Sequence, residues 1–326
     1  MSKTDIPYLD EVLNVTSGCT KINEGCANCY AERINLRFGH TPAYDVNCPI
    51  KTHPERLKQA LCWQTPRRAG LCFTSDLFHE GVLDEFSDQV FAVMALTPQH
   101  TYMLLTKRPE RMRAYLNGSP YYPACAVARI HGEILRRTGQ PTLVPWPLPN
   151  VWLGVSCENQ ARADERIPLL LDTPAAHRWV SLEPLLSAID LRGHFCCDPH
   201  NLGGHLHLPS IEWVVCGGES GPKARPCDLG WIRDINQQCK AAGVKRYVKQ
   251  VGAKPVLNYY DDDMRNLYDE RGLLWPDPMG WNSYRDGQPP LKSLVNLCGV
   301  VRDRKGEDPS EWPADLQVRE MPEGSE

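Results

Sequence analysis

Apolar, β-rich runs that stop abruptly at polar residues recur seven times along the chain. Runs of this kind are typical of strands that are buried on both faces. They are VLNVTSG (12–18), GLCFTSDLFH (70–79), TYMLLTKRP (101–109), VWLGVSCEN (151–159), HRWVSLEP (177–184), IEWVVCGGESG (211–221) and KRYVKQVG (245–252). Helix-like stretches separate several of them, for example 84–95 and 229–242. This alternation predicts an α/β fold with a parallel sheet.

Polar residues gather where each run stops. In a partial or full parallel β/α (TIM-like) barrel these endings share one rim, where active sites are found. An open doubly wound sheet fits the periodicity as well, and any single ending could be a solvated loop or a helix cap. Six such endings in a row favour a shared site. Its candidate residues are Ser75, Asp76, Lys107, Arg108, Ser156, Glu158, Glu183, Glu219 and Lys249.

Two segments and the C-terminal part depart from the alternation. The barrel pattern covers residues 1–252, and the segments 117–150 and 192–210 interrupt it as insertions. Residues 253–326 form a C-terminal extension. Its charged, proline-containing end, from Asp303 onward, is predicted to be mobile.

Composition narrows the class of protein. A net charge of −4 argues against the overall basic field that gives unselective nucleic-acid affinity. No run approaches the length of a membrane span, and the first residues lack the features of a signal peptide. We therefore expect a cytoplasmic protein with no membrane partner. In a reducing compartment the 14 cysteines are metal ligands or core residues.

Three cysteines stand between the first predicted strand and the first helix, in GCTKINEGCANCYAER. Cys19, Cys26 and Cys29 have the spacing C-x6-C-x2-C. Three thiolates on one loop can hold three irons of a 4Fe–4S cluster and leave the fourth iron open to a small molecule. Zinc with His40 or Cys48 as a fourth ligand, and three thiols without metal, remain alternatives.

On these motifs the chain resembles the radical S-adenosylmethionine superfamily, and more closely a branch of uncharacterised phage and bacterial members. The resemblance covers roughly residues 11–252 outside the insertions. The matching blocks are the cysteine motif above, SDLFHEGV, LLTKRPERM, NVWLGVSCEN, RWVSLEPLLSAIDL, EWVVCGGESG, RPCDLGWIRDINQQCKAAGV and YVKQVG. The superfamily's usual spacing is C-x3-C-x2-C, so the first gap is longer here. We expect the extra residues to bulge outward.

The resemblance implies two cofactors and a role for each candidate residue. A 4Fe–4S cluster on the three cysteines would bind S-adenosylmethionine, and an electron from a donor would cleave it to a 5′-deoxyadenosyl radical. The implied roles are methionine-ammonium binding by Ser75 and Asp76, carboxylate binding by Lys107 or Arg108, ribose binding by Ser156 and Glu158, a further cofactor contact from Glu183, and catalytic contacts to substrate or adenine from Glu219 and Lys249.

The substrate is predicted from weaker signals. Lys107, Arg108, Arg111 and Arg113 form a basic group beside the rim that could contact phosphates. The phage setting of similar sequences favours a nucleic-acid or nucleoside substrate, and a phage-encoded protein would act in the host cytoplasm. The base would be modified, rearranged or repaired. One example is the isomerisation of an amino-acid substituent on thymine. The alternatives are radical modification of a peptide or protein partner, and a non-catalytic zinc-binding barrel protein.

Overall fold

The apolar runs of the sequence form one parallel sheet. The computed structural model describes residues 4–37, 50–117, 125–195, 210–258, 294–296, 303 and 305–322. Within them the sheet has seven strands, in the order β1 (Glu11–Leu13), β4 (Arg68–Leu71), β5 (Thr101–Thr106), β6 (Val151–Ser156), β7 (His177–Leu182), β8 (Trp213–Gly217) and β10 (Lys245–Gln250). All neighbouring pairs are parallel.

The sheet curls into a half-barrel with helices around it, which is an α/β partial TIM-like barrel. The strands follow one another across the sheet in chain order, whereas a doubly wound sheet reverses its order at a switch point. The predicted fold class is therefore confirmed in its partial-barrel form. The helices are α1 (Tyr30–Arg37), α2 (Leu57–Cys62), α3 (Asp84–Leu96), α4 (Pro109–Asn117), α5 (Cys125–Thr138), α6 (Gln160–Leu171) and α7 (Leu229–Ala242).

Two small sheets accompany the barrel. A two-stranded one pairs β2 (Thr16–Ser17) with β3 (Lys51–Thr52) just before the cysteine motif. A three-stranded one joins β9 (Cys227–Asp228), β11 (Pro255–Asn258) and β12 (Leu294–Asn296). None of the helices in the described ranges is long and apolar enough to cross a membrane.

Local sequence explains where the helices beside the rim begin and end. Asn159 begins α6 by accepting the Arg162 backbone N–H, and Asp228 begins α7 by accepting the Gly230 N–H. Gly243 ends α7 in the left-handed region, at φ +68°, where a side chain would be strained. The two N-caps fix where the polar segments after β6 and β8 enter their helices.

The two faces of the sheet bury different residues. The face toward the helices packs aliphatic side chains from strands and helices into one large core. The concave face holds an aromatic cluster whose main members are Tyr8, Trp152, Trp179, Trp213 and Tyr247. Trp213 and Trp152 are the first and second residues of their strands, so this cluster fills the amino-terminal half of the concave face. The carboxyl half is left for polar groups.

Residues 305–322, which belong to the extension predicted to end in a mobile segment, lie against the barrel. The Val248 N–H donates to the Val318 carbonyl at 2.8 Å, which gives the outer edge of β10 a partner. The Trp213 indole N–H donates to the Glu320 carbonyl at 2.8 Å. Trp312 and Leu316 are buried in the core on the helix side. Burial of these two side chains supplies the packing that holds the segment in place.

We predict that Leu316→Ala lowers the free energy of unfolding by about 2–5 kcal/mol, the range for a buried leucine that leaves a cavity. Leu316 is 0% exposed, whereas Leu143 is 89% exposed. Leu143→Ala is therefore the matched control and should change stability by less than about 0.5 kcal/mol. Urea unfolding measures both variants. Equal, small effects would mean that residues 305–322 do not contribute to the folded core.

Candidate active site

The three cysteines lie on one loop, residues 18–29, which we call the cysteine loop. It leaves β2, makes a short 3-10 turn at Glu24–Cys26 and continues into α1. Cys26 is buried, Cys19 and Cys29 are half-buried, and none of the three forms a disulfide with another described residue. The contacts of this loop place it over the carboxyl ends of the barrel strands, which we call the carboxyl rim.

Glu158, two residues beyond β6, is completely buried beneath the cysteine loop. Its carboxylate forms ion pairs with Lys107 and, at 3.3 Å, with Arg166. The Asn23 side-chain amide donates to the same carboxylate at 2.7 Å, and the Cys26 thiol donates to Asn23 Oδ1 at 3.1 Å. A buried carboxylate is tolerated only with such partners, so they fix its position. Glu158 therefore anchors the cysteine loop at Asn23.

Gly25 lies directly against Glu158. A Cβ at this position would be 2.4 Å from the Cγ, Cδ and Oε1 atoms of Glu158, closer than real Cβ atoms approach. Only Lys21 and Ile22 are exposed in the longer first gap, and the chain turns back to the rim at Asn23. The expected outward bulge is therefore limited to two residues, because the rest of the gap binds the barrel.

A second carboxylate, Glu219, lies beyond β8 and binds the other end of the loop. The Asn28 side-chain amide donates to it at 3.0 Å. Arg225 donates to both of its oxygens, at 2.7 and 3.0 Å, and to the Glu24 carbonyl at 2.9 Å. Although burial acts to raise it, hydrogen bonds from Arg225 and Asn28 hold the pKa of the Glu219 carboxyl below its usual value. Glu219 is thus an ionised contact of the cysteine loop.

A third group of contacts surrounds Cys19. Asp76 is buried, and the Thr106 hydroxyl shares its one proton between the two carboxylate oxygens, at 2.8 and 2.9 Å. Arg108 pairs with Asp76 at 3.4 Å, and its Nη1 lies 3.8 Å from Cys19 Sγ. Ser75 Oγ hydrogen-bonds a threonine hydroxyl of β2 at 2.6 Å. The end of β4 therefore supports the start of the cysteine loop.

Glu183 and Lys249 meet on the concave face. Lys249 Nζ lies 3.3 Å from Glu183 Oε1, and the Ser181 hydroxyl donates to Glu183 Oε2 at 3.3 Å. Glu183 Oε1 is buried and has no hydrogen bond of good geometry. Ser156 stands beside Ser181 in the register of β6 with β7. These polar groups lie in the carboxyl half of the concave face, beyond the aromatic cluster.

Burial shifts the pKa values of Cys19 and Lys107. Burial, with a further contribution from Asp76, raises the pKa of the Cys19 thiol to about 12, although Arg108 acts to lower it. Burial also lowers the pKa of Lys107, while Cys26 and Cys29 act to raise it. In the metal-free protein Cys19 is a protonated thiol at neutral pH. Binding a metal there therefore releases its proton.

The structure divides the predicted site residues into two groups. Ser75, Asp76, Lys107, Arg108, Glu158 and Glu219 support the cysteine loop through the contacts above. Ser156, Glu183 and Lys249 form the second group, on the concave face, where Glu183 pairs with Lys249. The structure shows the protein contacts of the first group, and the predicted cofactor and substrate roles of both groups stay predictions.

Sequence reasoning missed three supporting residues. Asn23 and Asn28, inside the cysteine motif, supply the amides that bind Glu158 and Glu219. Arg166 is buried on α6, on the same helix face as Ala163 and Ile167. A charged residue at a core-facing helix position needs a buried partner of opposite charge, and that signal could have identified Arg166.

Some predicted ligands lie outside the described residues. These are the zinc alternatives His40 and Cys48. In the part of the chain that the structure describes, no three His, Cys, Asp or Glu side chains converge as the ligands of a single metal ion do.

We predict that Glu158→Gln lowers the free energy of unfolding by about 3–5 kcal/mol, because the buried Arg166 and the partly buried Lys107 would lose their carboxylate partner. Glu165→Gln is the matched control, since Glu165 pairs with Arg162 on the exposed side of α6, the helix that carries Arg166. It should cost less than about 1 kcal/mol. Urea unfolding compares the two. Equal losses would show that Glu158 does not anchor the cysteine loop.

Comparison with known proteins adds a family. No curated protein matches the chain. A solved structure, "Spore photoproduct lyase complexed with dinucleoside spore photoproduct", is similar over 73% of this chain and 62% of that one, with 12% identity and a TM-score of 0.39. This chain thus spans less than two thirds of that protein, and a likeness this distant carries no argument about function. A family model matches residues 3–277, so the chain belongs to the family described as "Protein of unknown function (DUF5131)".

Proposed function

We propose that this protein is a radical S-adenosylmethionine enzyme whose 4Fe–4S cluster is held by Cys19, Cys26 and Cys29. The observation that carries the proposal is the cysteine loop itself. Three cysteines outside any described disulfide lie on one loop, and buried carboxylates beyond β6 and β8 hold that loop over the carboxyl rim of a partial barrel. This is the rim where α/β barrels carry their active sites.

The donor set fits an iron–sulfur cluster. Thiolates are the ligands that such clusters take, and three of them leave one iron open. The thiolates of a cubane cluster bind different irons, so they need not converge on one point as zinc ligands do. Six further cysteines are described: Cys62 is exposed, and Cys72, Cys157, Cys216, Cys227 and Cys239 are buried. The buried ones pack in the core on the helix side.

When bound, the cluster would supply the electron that cleaves S-adenosylmethionine to a 5′-deoxyadenosyl radical. The protein's own residues hold the reactants and exclude water from them. Ser156, Glu183 and Lys249 are best placed to contact S-adenosylmethionine or substrate, because they lie in the carboxyl half of the concave face. The aromatic cluster closes the amino half. A reactive group formed at the rim is thereby kept away from solvent below it.

Within this proposal the substrate is a nucleic-acid base or nucleoside that is modified, rearranged or repaired. The basic residues beside the rim do not support extensive phosphate contacts, because each has a carboxylate partner. The pairs are Lys107 with Glu158, Arg108 with Asp76, Arg111 with Asp84, and Arg113 with Asp172. A single base that enters the concave face suits this site better than a bound duplex backbone. Faster consumption of S-adenosylmethionine with DNA or modified nucleosides than with peptides would support this class, and the reverse order would exclude it.

The first test of the proposal is anaerobic reconstitution with iron and sulfide. The wild-type protein should bind about four iron and four sulfide per chain and give a cubane electron paramagnetic resonance signal after reduction. Addition of S-adenosylmethionine should change that signal. Zinc without sulfide in the purified protein would contradict the proposal.

Two cysteine variants make the test specific. Cys26→Ala should lose the cluster and its signal, because one of three ligands is removed. Cys62→Ala is the matched control, since Cys62 is an exposed free cysteine on α2, outside the cysteine loop, and it should keep both. Equal iron and sulfide in the two variants would remove Cys26 from the set of ligands.

A further inference from the structure

Arg108 is buried, and its side chain is 5% exposed. A guanidinium has five N–H donors, and here all three nitrogens face protein acceptors. Nε donates to Glu80 at 3.1 and 3.2 Å, Nη1 reaches Asp76 at 3.4 Å and Cys19 Sγ at 3.8 Å, and Nη2 donates to the carbonyl and hydroxyl oxygens of Thr20 at 3.2 and 2.8 Å. This leaves no donor for the carboxylate of a small molecule.

The acceptors around Arg108 are themselves held in place. Asp76 also accepts hydrogen bonds from Thr106 Oγ1 and from the Lys107 backbone N–H. The Thr20 hydroxyl lies 2.9 Å from His79 Nε2. His79 Nδ1 accepts the Gly81 N–H, so Nε2 carries the ring proton and donates it to Thr20. Turning the guanidinium toward a ligand would break several of these bonds in a buried site. The guanidinium therefore stays directed at the start of the cysteine loop.

A fixed cation beside a ligand sulfur has a direct effect on an iron–sulfur cluster. The reduction potential depends on the net charge near the cluster and on hydrogen bonds to its sulfurs. Reduction adds negative charge, so a nearby cation favours the reduced state. Glu80 and Asp76 offset part of this charge, but only the guanidinium of the three reaches within hydrogen-bond distance of Cys19 Sγ.

We propose that Arg108 is a positioning residue that holds Cys19 and raises the reduction potential of the cluster, and that it does not bind the methionine carboxylate. This inference rests on the proposed function. It reassigns Arg108, which the resemblance implies as a candidate for carboxylate binding. Lys107, the other candidate, pairs with Glu158. The methionine carboxylate is then bound by groups other than Arg108.

The test compares Arg108→Met, Arg108→Lys and the control Arg113→Met in reconstituted protein. Arg113 pairs with Asp172, and both side chains are well exposed, so its variant removes a cation without touching the cysteine loop. The midpoint potential is measured by titration with dithionite, followed by electron paramagnetic resonance. We expect Arg108→Met to shift to a more negative potential, Arg108→Lys to shift less, and Arg113→Met to match the wild type.

The affinity for S-adenosylmethionine provides the second measurement. If Arg108 acts on Cys19, Arg108→Met should keep the wild-type affinity within about threefold while the potential shifts. An unchanged potential overturns the inference, and so does a loss of affinity without a shift. Arg108→Met could also lose the cluster. That result supports the holding role if two conditions are met: metal-free Arg108→Met unfolds at the same temperature as metal-free Arg113→Met, and Arg108→Lys keeps its cluster. A wild-type protein that assembles no cluster refutes the proposed function itself.

Discussion

The buried carboxylate of Glu158 determines how the rest of the site is arranged. It forms ion pairs with Lys107 and Arg166, accepts a hydrogen bond from the Asn23 amide and leaves no space for a side chain at residue 25. Removing a carboxylate from water is costly unless its partners are fixed around it. Because these partners must stay in place around the carboxylate, they fix the positions of β5, β6, α6 and the cysteine loop relative to one another. Without it, the longer gap between the first two cysteines would leave the thiols free to move apart.

Much of the fold could be predicted from the pattern of residues. The seven apolar runs became seven neighbouring parallel strands, because a β/α alternation with short connections allows few other arrangements. The polar strand endings share one rim for the same reason. The C-terminal segment was harder to predict, since its contacts are between residues far apart in the chain. Trp312 and Leu316 lie in a charged, proline-containing stretch, and composition gives no sign that they enter the core.

Within the site, residue types were easier to predict than their partners. An acidic residue at a strand ending suggests a ligand contact, but Asp76, Glu158 and Glu219 all bind protein groups. Such a carboxylate already has hydrogen-bond donors once the cysteine loop lies over it. These contacts could not be predicted, because the loop and the carboxylates are far apart in the sequence. Glu183 and Lys249 differ because they pair with each other on the concave face. The site thus contains residues that hold the cysteine loop and, separately, a pair on the concave face whose predicted contact with a bound molecule stays a prediction.

The most direct test of this account is the iron content of Gly25→Ala after anaerobic reconstitution, compared with Gly132→Ala. A Cβ at residue 25 would meet Glu158 at 2.4 Å, whereas one at residue 132 would meet nothing within 4 Å. If Glu158 shapes the cysteine loop for a cluster, Gly25→Ala loses most of its iron and sulfide while Gly132→Ala keeps the wild-type amount. Full cluster occupancy in Gly25→Ala would contradict the account.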